Sequence, residues 1–598
     1  MSDQDCGIGT LVAPSPYATL PTGITRGVNP FSGYIGTVYD TTFIAPTGTD
    51  WACHTATDLR TALTNSAPGD RILLDPGVVY SGNFVVPAKV KNGSYLHITT
   101  AGFHAAYPAG TRIDPTAAPA MAKIVSPNVS QALSFVAASP TNASYCRIYG
   151  VEFYSNSNYS AYNNPDGTKR WYGYYLIGIN GAWPWNSNVP DHIIFDRCYI
   201  HGDSNHDIQC ALQGNFNHSA LIESWIEEIH MKGTDTSAYG ATFTPGIIRI
   251  TNNHISAAGE NIIFGGGGGN GNLWVPSDIE IRDNHIFKPL SWIPDSLTPI
   301  NMMVVKNSVE MKSAQRVLVD SNLIENCWAA GQLGYCVVLT VRSGQSGDIS
   351  VVDDITVTNN YCKNVTSFVN SLAADDTCAT TSYPHCGNAG SGWRWDIVNN
   401  LVLHFDPTIQ GGNRNAFLSI NGGVDRVNNL LGVLHDVLFM HNTQVSAAST
   451  PNLFAGIYVS YPAPTAPVTR PAPPGDNIWM HGNVMQKQLT GDNGYVGSTA
   501  MTTYFDSVAP YPEMSGNVMF SQGAHAADWP PSNTVPSVAI TFANPSSGDY
   551  TLATPAWTYP GDGTLAGVNM ALLPSGSGGG TTPPPPPAAP TGLTATIV

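Results

Sequence analysis

The chain has 598 residues, of which 25 are basic and 42 acidic, so only 11% carry charge, less than half the roughly 25% usual in globular proteins. Hydrophobic residues still make up 42%, which excludes wholesale disorder, while the shortage of Glu, Lys and Arg excludes coiled coils and helical bundles. A net charge of −17 with no basic run disfavours nucleic acid as a partner, and no apolar stretch is long enough for a membrane-spanning helix.

The segment 1–54 comes first. Met1-Ser-Asp-Gln-Asp5 has neither the basic nor the apolar region of a leader, so no signal peptide is expected within this chain. Cys6 and Cys53 are placed to staple this segment, and Cys378 and Cys386 to close a polar loop. With no CxxC, such pairs fit an oxidising, secreted or extracytoplasmic location; free buried thiols are the alternative. Asp58 to Ala67 reads as a short amphipathic helix with Thr57 or Asp58 at its N-cap.

Beyond it lies a repeat: a short strand, an Asn, another short strand. Copies centre on Asn253, Asn284, Asn322 and Asn360, weaker ones on Asn400, Asn442, Asn483 and Asn517, and earlier ones put Cys198 and Trp225 near the same place. The spacings, 31, 38, 38, 40, 42, 41 and 34 residues, suit coils of constant strands joined by elastic loops. The expected fold is therefore all-β, a right-handed parallel β-helix over residues 55–570 with a short N-terminal capping helix. Asn is expected to occupy the left-handed bend and to bond to its own kind along the stack. A β-propeller is the other candidate, but its blade signature is missing.

The helix leads into Pro68-Gly-Asp-Arg71-Ile-Leu-Leu-Asp-Pro-Gly77 and Gly82-Asn-Phe-Val-Val-Pro87. This resembles the first coil of the pectate-lyase-like superfamily. The resemblance continues through Gly259 to Gly265, Pro276 to Arg282, Lys288 to Trp292 and Val305-Lys-Asn-Ser-Val-Glu310-Met-Lys312, and it implies a carbohydrate context. At the far end, 571–589 reads as a Gly/Ser/Pro-rich linker. Residues 590–598 resemble the opening strand of a fibronectin type III module, a domain they are too short to complete.

Strands of a second column are expected at Ile208–Leu212, Glu228–Lys232, Asn261–Phe264, Val309–Lys312, Val337–Arg342, Ala416–Ile420 and Gly456–Ser460. If Val309 and Met311 point inward, Glu310 and Lys312 point outward about 7 Å apart, with Arg342 one coil away and Glu260 and Asn261 on the other side. Such a patch suits β-elimination on an acidic glycan, which needs a cation for the sugar carboxylate, a base and a proton donor. Glu310-x-Lys312 followed by Arg342 resembles the chondroitinase-B and alginate-lyase group. That likeness implies Lys312 as base, Arg342 as its partner, and calcium held by Glu310 with Glu260 or Asn261. The plain alternative is a solvated ion pair.

Trp292, Trp328, Trp393 and Trp395 lie in or near loops, where Trp292 and Trp328 would stack on sugar rings unless loops bury them. Asp353-Asp354 and the His201/Asp203/His206/Asp207 loop are weaker candidates, for hydrolysis and for a divalent ion respectively, and read first as structural. The glycines Gly265 to Gly269 lack the Lys and the helix of a phosphate loop. The expected function is a secreted polysaccharide-active protein, a lyase of uronate-containing glycans. A non-catalytic glycan-binding or surface-structural protein is the rival, and a glycoside hydrolase the third reading.

Overall fold

The computed structural model describes residues 39–137, 142–163, 169–180, 189–242, 244–266, 274–297, 303–342, 351–372, 392–404, 415–421, 424–425, 430–431, 434–445, 454–460, 475–485, 489–491, 513–519, 532–534 and 540–574. Strands fall into three long sheets of 14, 13 and 13 members. Neighbours along the main path of each sheet are parallel, as in Ile248–Thr251 against Ser277–Arg282 against Ala314–Asp320; the side strand Ser160–Asn163 alone pairs antiparallel in these three sheets, with Lys169–Asn180. Successive strands of one sheet come from successive coils, and each coil from Arg71 to Gly491 contributes a strand to all three sheets. This is a right-handed parallel β-helix; the antiparallel four-stranded blades of a propeller are absent among the described residues.

Inside, like stacks on like. One column runs Ile250, Ile281, Val319, Val357, Ile397, Phe439, Met480 and Met514 through matched registers, and all eight are buried. Each such side chain contributes about 1.5 to 3 kcal/mol on burial, so the column needs no charged outer face to stay folded. That accounts for the low charge content.

The helix spans Ala56–Asn65 rather than 58–67. Thr55 is the N-cap, its hydroxyl accepting from the Asp58 N–H at 3.2 Å while the Asp58 carboxylate accepts from the Thr55 N–H at 2.9 Å. Thr55 takes the place of Thr57 because only an N-cap three residues before Asp58 closes this reciprocal box. Leu59, Ala62 and Leu63 then plug the open end of the core.

The asparagines form a continuous buried ladder. Asn284 Nδ2 donates to Ile250 O and to Asn322 Oδ1, and Asn322 Oδ1 also accepts the Asn284 backbone N–H. The pattern repeats through Asn360, Asn400, Asn442, Asn483 and Asn517 to Asn533. The left-handed bend belongs to the residue before each rung: Asn252, Asp283, Ser321, Asn359, Asn399 and His441 have φ between 53° and 58°. The rung amide therefore serves hydrogen bonding, and its neighbour bears the strain. Nearer the N-terminus Ser224, not Trp225, holds the rung position, bonding to Asn253 and Cys198.

Both ends strap the outside. Tyr39 packs on Ile194, Ala220, Ile222 and Ile247, and the Arg147 guanidinium donates to the carbonyls of Thr41 and Thr42. At the other end Val568 packs on Leu323, Tyr361 and Leu401, and Asn569 N donates to Asn399 Oδ1 at 2.6 Å. Leu573 joins this packing, so 571–574 continue the strap. The linker from 575 and the segment 590–598 lie outside the described residues, as do Cys6, Cys378 and Cys386; Cys53 is a buried free thiol. No helix among the described residues is long and apolar enough to cross a membrane.

Candidate functional site: a charged edge of the second sheet

The second sheet runs His206–Gln213, Ser237–Ala241, Glu260–Phe264, Val309–Met311, Tyr335–Thr340 and Ser367–Leu372. The expected column holds at four of these. At the Glu228 position the structure differs: Trp225–Ile229 belongs to the third sheet, and Ser237–Ala241 takes its place. The strand Ser367–Leu372 carries no charged residue and escaped the sequence pattern.

Charges gather within and on either side of the strand Val309–Met311. Lys312 Nζ lies 3.0 Å from Glu310 Oε1, and Asn307 Nδ2 donates to Glu310 Oε2 at 2.7 Å. Lys306 Nζ lies 2.5 Å from Asp235 Oδ2 and 3.4 Å from Glu260 Oε1. The pair Glu310/Lys312 is thus real, but it is not a solvated surface pair: the Glu310 and Glu260 side chains are 3% and 2% exposed, those of Lys312 and Lys306 16% and 11%. The cations form a partly open layer, with the carboxylates beneath it. Arg342 is half-buried, and its N–H donates to the Lys312 carbonyl at 3.0 Å, which sets it beside Lys312 one coil on.

Two glycines make room for this layer. Gly265 and Gly266 have φ of 75° and 79°, and a Cβ on Gly266 would stand 2.4 Å from Lys312 Cδ. The glycine run therefore begins as the bed on which the Lys312 side chain lies.

The two buried glutamates titrate apart. Burial pushes Glu260 up to about 8, with Glu310 and Asp235 adding to the rise against the pull of Lys306 and Lys312. Burial also works on Glu310, but Lys312, Asn307 and Lys306 overcome it and hold that carboxyl below its ordinary value. Lys306 is raised: its burial is outweighed by Glu260 and Asp235. The edge thus carries one held proton, on Glu260, next to an ionised Glu310.

The donor set does not fit calcium, which takes six to eight oxygens at about 2.3 to 2.6 Å. Both Glu310 oxygens already face donors, and Lys306 stands against Glu260. Asn261 is fully buried, with Nδ2 donating to the carbonyls of Ile255 and Phe287, so it braces the corner, while its Oδ1 has no hydrogen bond. The two tryptophans also need correction. Trp292 and Trp328 are 5% and 0% exposed, packed with Ala258, Met303 and Val305, and Trp328 Nε1 donates to Ser296; neither offers a ring face to a sugar. Trp395 is likewise buried, bonded to Val352 O.

Other sequence candidates resolve as structure. Asp354 pairs with Arg394 at 2.6 Å in an outer row that repeats the Asp278–Arg316 pair at 2.8 Å. Asp203 caps its own bend, accepting from the N–H groups of Asn205 and His206. His201 turns to Glu152, and Asp207 to His230, so the four members of that loop do not converge. Lys306 and Asp235 were not singled out. Lys306 stands four residues before Glu310 within a string already marked by resemblance; Asp235 sits in a connection with no pattern at all.

No protein-family model matches the chain, and no curated protein matches it. Among solved structures, an alginate lyase from Paenibacillus is 13% identical with a TM-score of 0.32, over 69% of this chain and 94% of that one. The PL6 family alginate lyase AlyGC is 13% identical with a TM-score of 0.48, over 88% of this chain; the match spans 58% of that lyase. The tailspike of the E. coli bacteriophage HK620, solved with a pentasaccharide, is 11% identical with a TM-score of 0.36, over 81% of this chain and 63% of that one. Likenesses of this size concern the β-helix fold and leave reaction and substrate open.

Proposed function

We propose that the protein acts on an acidic polysaccharide, cleaving it by β-elimination at the Lys306/Lys312/Arg342 edge. The observation that supports this reading is the layer of cations held over buried carboxylates on one rigid sheet. A uronate carboxylate would meet Lys306 and Arg342, which would neutralise it and make the adjacent C–H more acidic. Lys312 would take that proton; the C–H pair becomes the new C=C bond as the glycosidic C–O bond breaks. The leaving oxygen needs a proton, and the protonated Glu260 carboxyl beneath the layer is the reserve from which it would be supplied through Lys306. Lys312 must first turn away from Glu310, 3.0 Å from its Nζ, to reach the substrate. Since the lysines stand where a metal's charge would be needed, the reaction is expected to proceed without calcium.

Incubation with pectate, alginate and chondroitin, in calcium and in chelator, should give unsaturated-sugar absorbance near about 235 nm in both. No absorbance on the whole panel, or an unchanged rate in Lys312→Ala, would sink the assignment. One observation favours the rival reading, a glycan-binding protein without turnover: both lysines have anionic partners within 3.4 Å, which suits anion capture better than proton abstraction. Retention of an acidic glycan with no product would decide for it.

A further inference from the structure

On the outer face of the first sheet, away from the charged edge, two imidazoles and a carboxylate converge. The strand Asp191–Asp196 follows Ser144–Tyr149 and precedes Asn217–Ile222 in that sheet. His192 and His218 both take the left-handed backbone, with φ of 56° and 49°, and this turns both rings to one side. The rings stack at 4.4 Å with 18° between planes. Both Nδ1 atoms aim at a single oxygen, Asp191 Oδ1, at 2.8 Å and 3.1 Å. Asn217 Nδ2 approaches the same oxygen at 3.2 Å, while Lys91 Nζ stands 3.4 Å from the other one.

We infer that Asp191, His192 and His218 form a binding site for a divalent transition-metal cation of the zinc class. Bonds of about 2.0 to 2.2 Å to imidazole nitrogen and carboxylate oxygen would place O···N pairs at 2.8 Å and 3.1 Å at cation angles of about 85 to 100°, the span of neighbouring ligands on one ion. The O···N spacings suit one ion, and one ring must turn out of the stack for both Nδ1 lone pairs to reach it. Each imidazole passes its proton from Nδ1 to Nε2, so two neutral rings release none on binding. Two nitrogens and one oxygen select zinc, cobalt, nickel or copper over calcium and magnesium. The three side chains are between 15% and 24% exposed, open enough for entry and for water to complete the shell. Lys91, on the far oxygen and 47% exposed, is free to swing away.

Tyr39 gives the site a consequence. Its ring stands edge-on or tilted against both imidazoles, at 5.8 Å and 6.0 Å, and its hydroxyl bonds to Tyr95. A cation there would fix the rings that the N-terminal strap leans on.

The test uses the full chain stripped by chelator and titrated calorimetrically with zinc chloride, then cobalt chloride with absorption recorded in the visible. One cation per chain is expected, with affinity falling at least about 20-fold in His192→Ala and His218→Ala. Calcium chloride should give no heat at the same concentrations. Equal binding by wild type and variants, several weak ions per chain, or no binding at all would overturn the site. Should the variants fail to fold, X-ray absorption at the zinc edge of the wild type decides: two imidazoles in the shell support the site, and any other count overturns it.

Discussion

The asparagine ladder and the charged edge lie on the same coils and bury polar side chains to the same depth, yet they solve opposite problems. From Asn284 to Asn517 each ladder amide donates twice and accepts twice, so repetition alone satisfies it and no charge is buried. At the edge, Glu260 Oε1 has no hydrogen bond, with Lys306 standing off at 3.4 Å. Neutral polar groups that stack stabilise the fold; charged groups that only partly pair cost it stability.

Substitutions can break the contrast. Asn322→Ala strips partners from Ile281 O, Asn360 Oδ1 and both donors of Asn284, and should cost about 3 kcal/mol or more in urea unfolding. A loss under about 1 kcal/mol would mean that water replaces the amide and that the ladder is not the frame. Next comes Glu310→Gln, which leaves Lys312 without its anion and should cost about 2 kcal/mol. It should also bring the Glu260 titration down from about 8, because the neighbouring negative charge is gone; carboxyl infrared or NMR titration reads this directly.

Glu260 sets the pH dependence. Its folded value of about 8 lies above the ordinary 4.5, so between these two values the folded state holds more protons than the unfolded one. Stability must fall as pH rises through that window and level off above it. Glu260→Gln should flatten the slope and be the more stable protein at pH 9; an unchanged slope would place the held proton elsewhere. Smaller still, Gly266→Ala and Gly93→Ala both force a side chain onto a left-handed backbone at about 1 kcal/mol. Only the first meets Lys312, the second having nothing within 4 Å, so any extra loss in Gly266→Ala measures the seat of that lysine. The exposed pair Lys363–Glu325, 35% and 17% exposed, should give less than about 0.5 kcal/mol when Lys363 becomes Met.

The ladder was legible because repetition writes itself into sequence: eight asparagines at coil spacing need no knowledge of partners. What periodicity could not tell was which residue took the strain, since Asn252, Asp283, Ser321 and His441 share no side-chain type and share only a backbone angle. The edge was legible as residues but not as environment. Alternation put Glu310 off the core, but the loop carrying Lys306 and Asn307 closes over it, and loops have no period. The same loop region hides Trp292 and Trp328. The Asp191, His192 and His218 group went unremarked because its rings meet across a coil step of 26 residues, counted from His192 to His218, with nothing in the strand pattern to mark it.

Every ladder amide points the same way, nitrogen towards the next coil and oxygen towards the last. The first rungs shrink from Asn253 to the hydroxyl of Ser224 and then to Cys198, and the last, Asn533, hands its proton to the Met514 carbonyl. Such a stack is indifferent to its own length. A gene duplication that copies one whole coil would add a rung that bonds correctly above and below, whereas a partial copy would leave an amide facing the wrong neighbour. The spread of coil lengths, from 31 to 42 residues between rungs, is what that tolerance leaves behind: loops drift freely while the rungs stay in step.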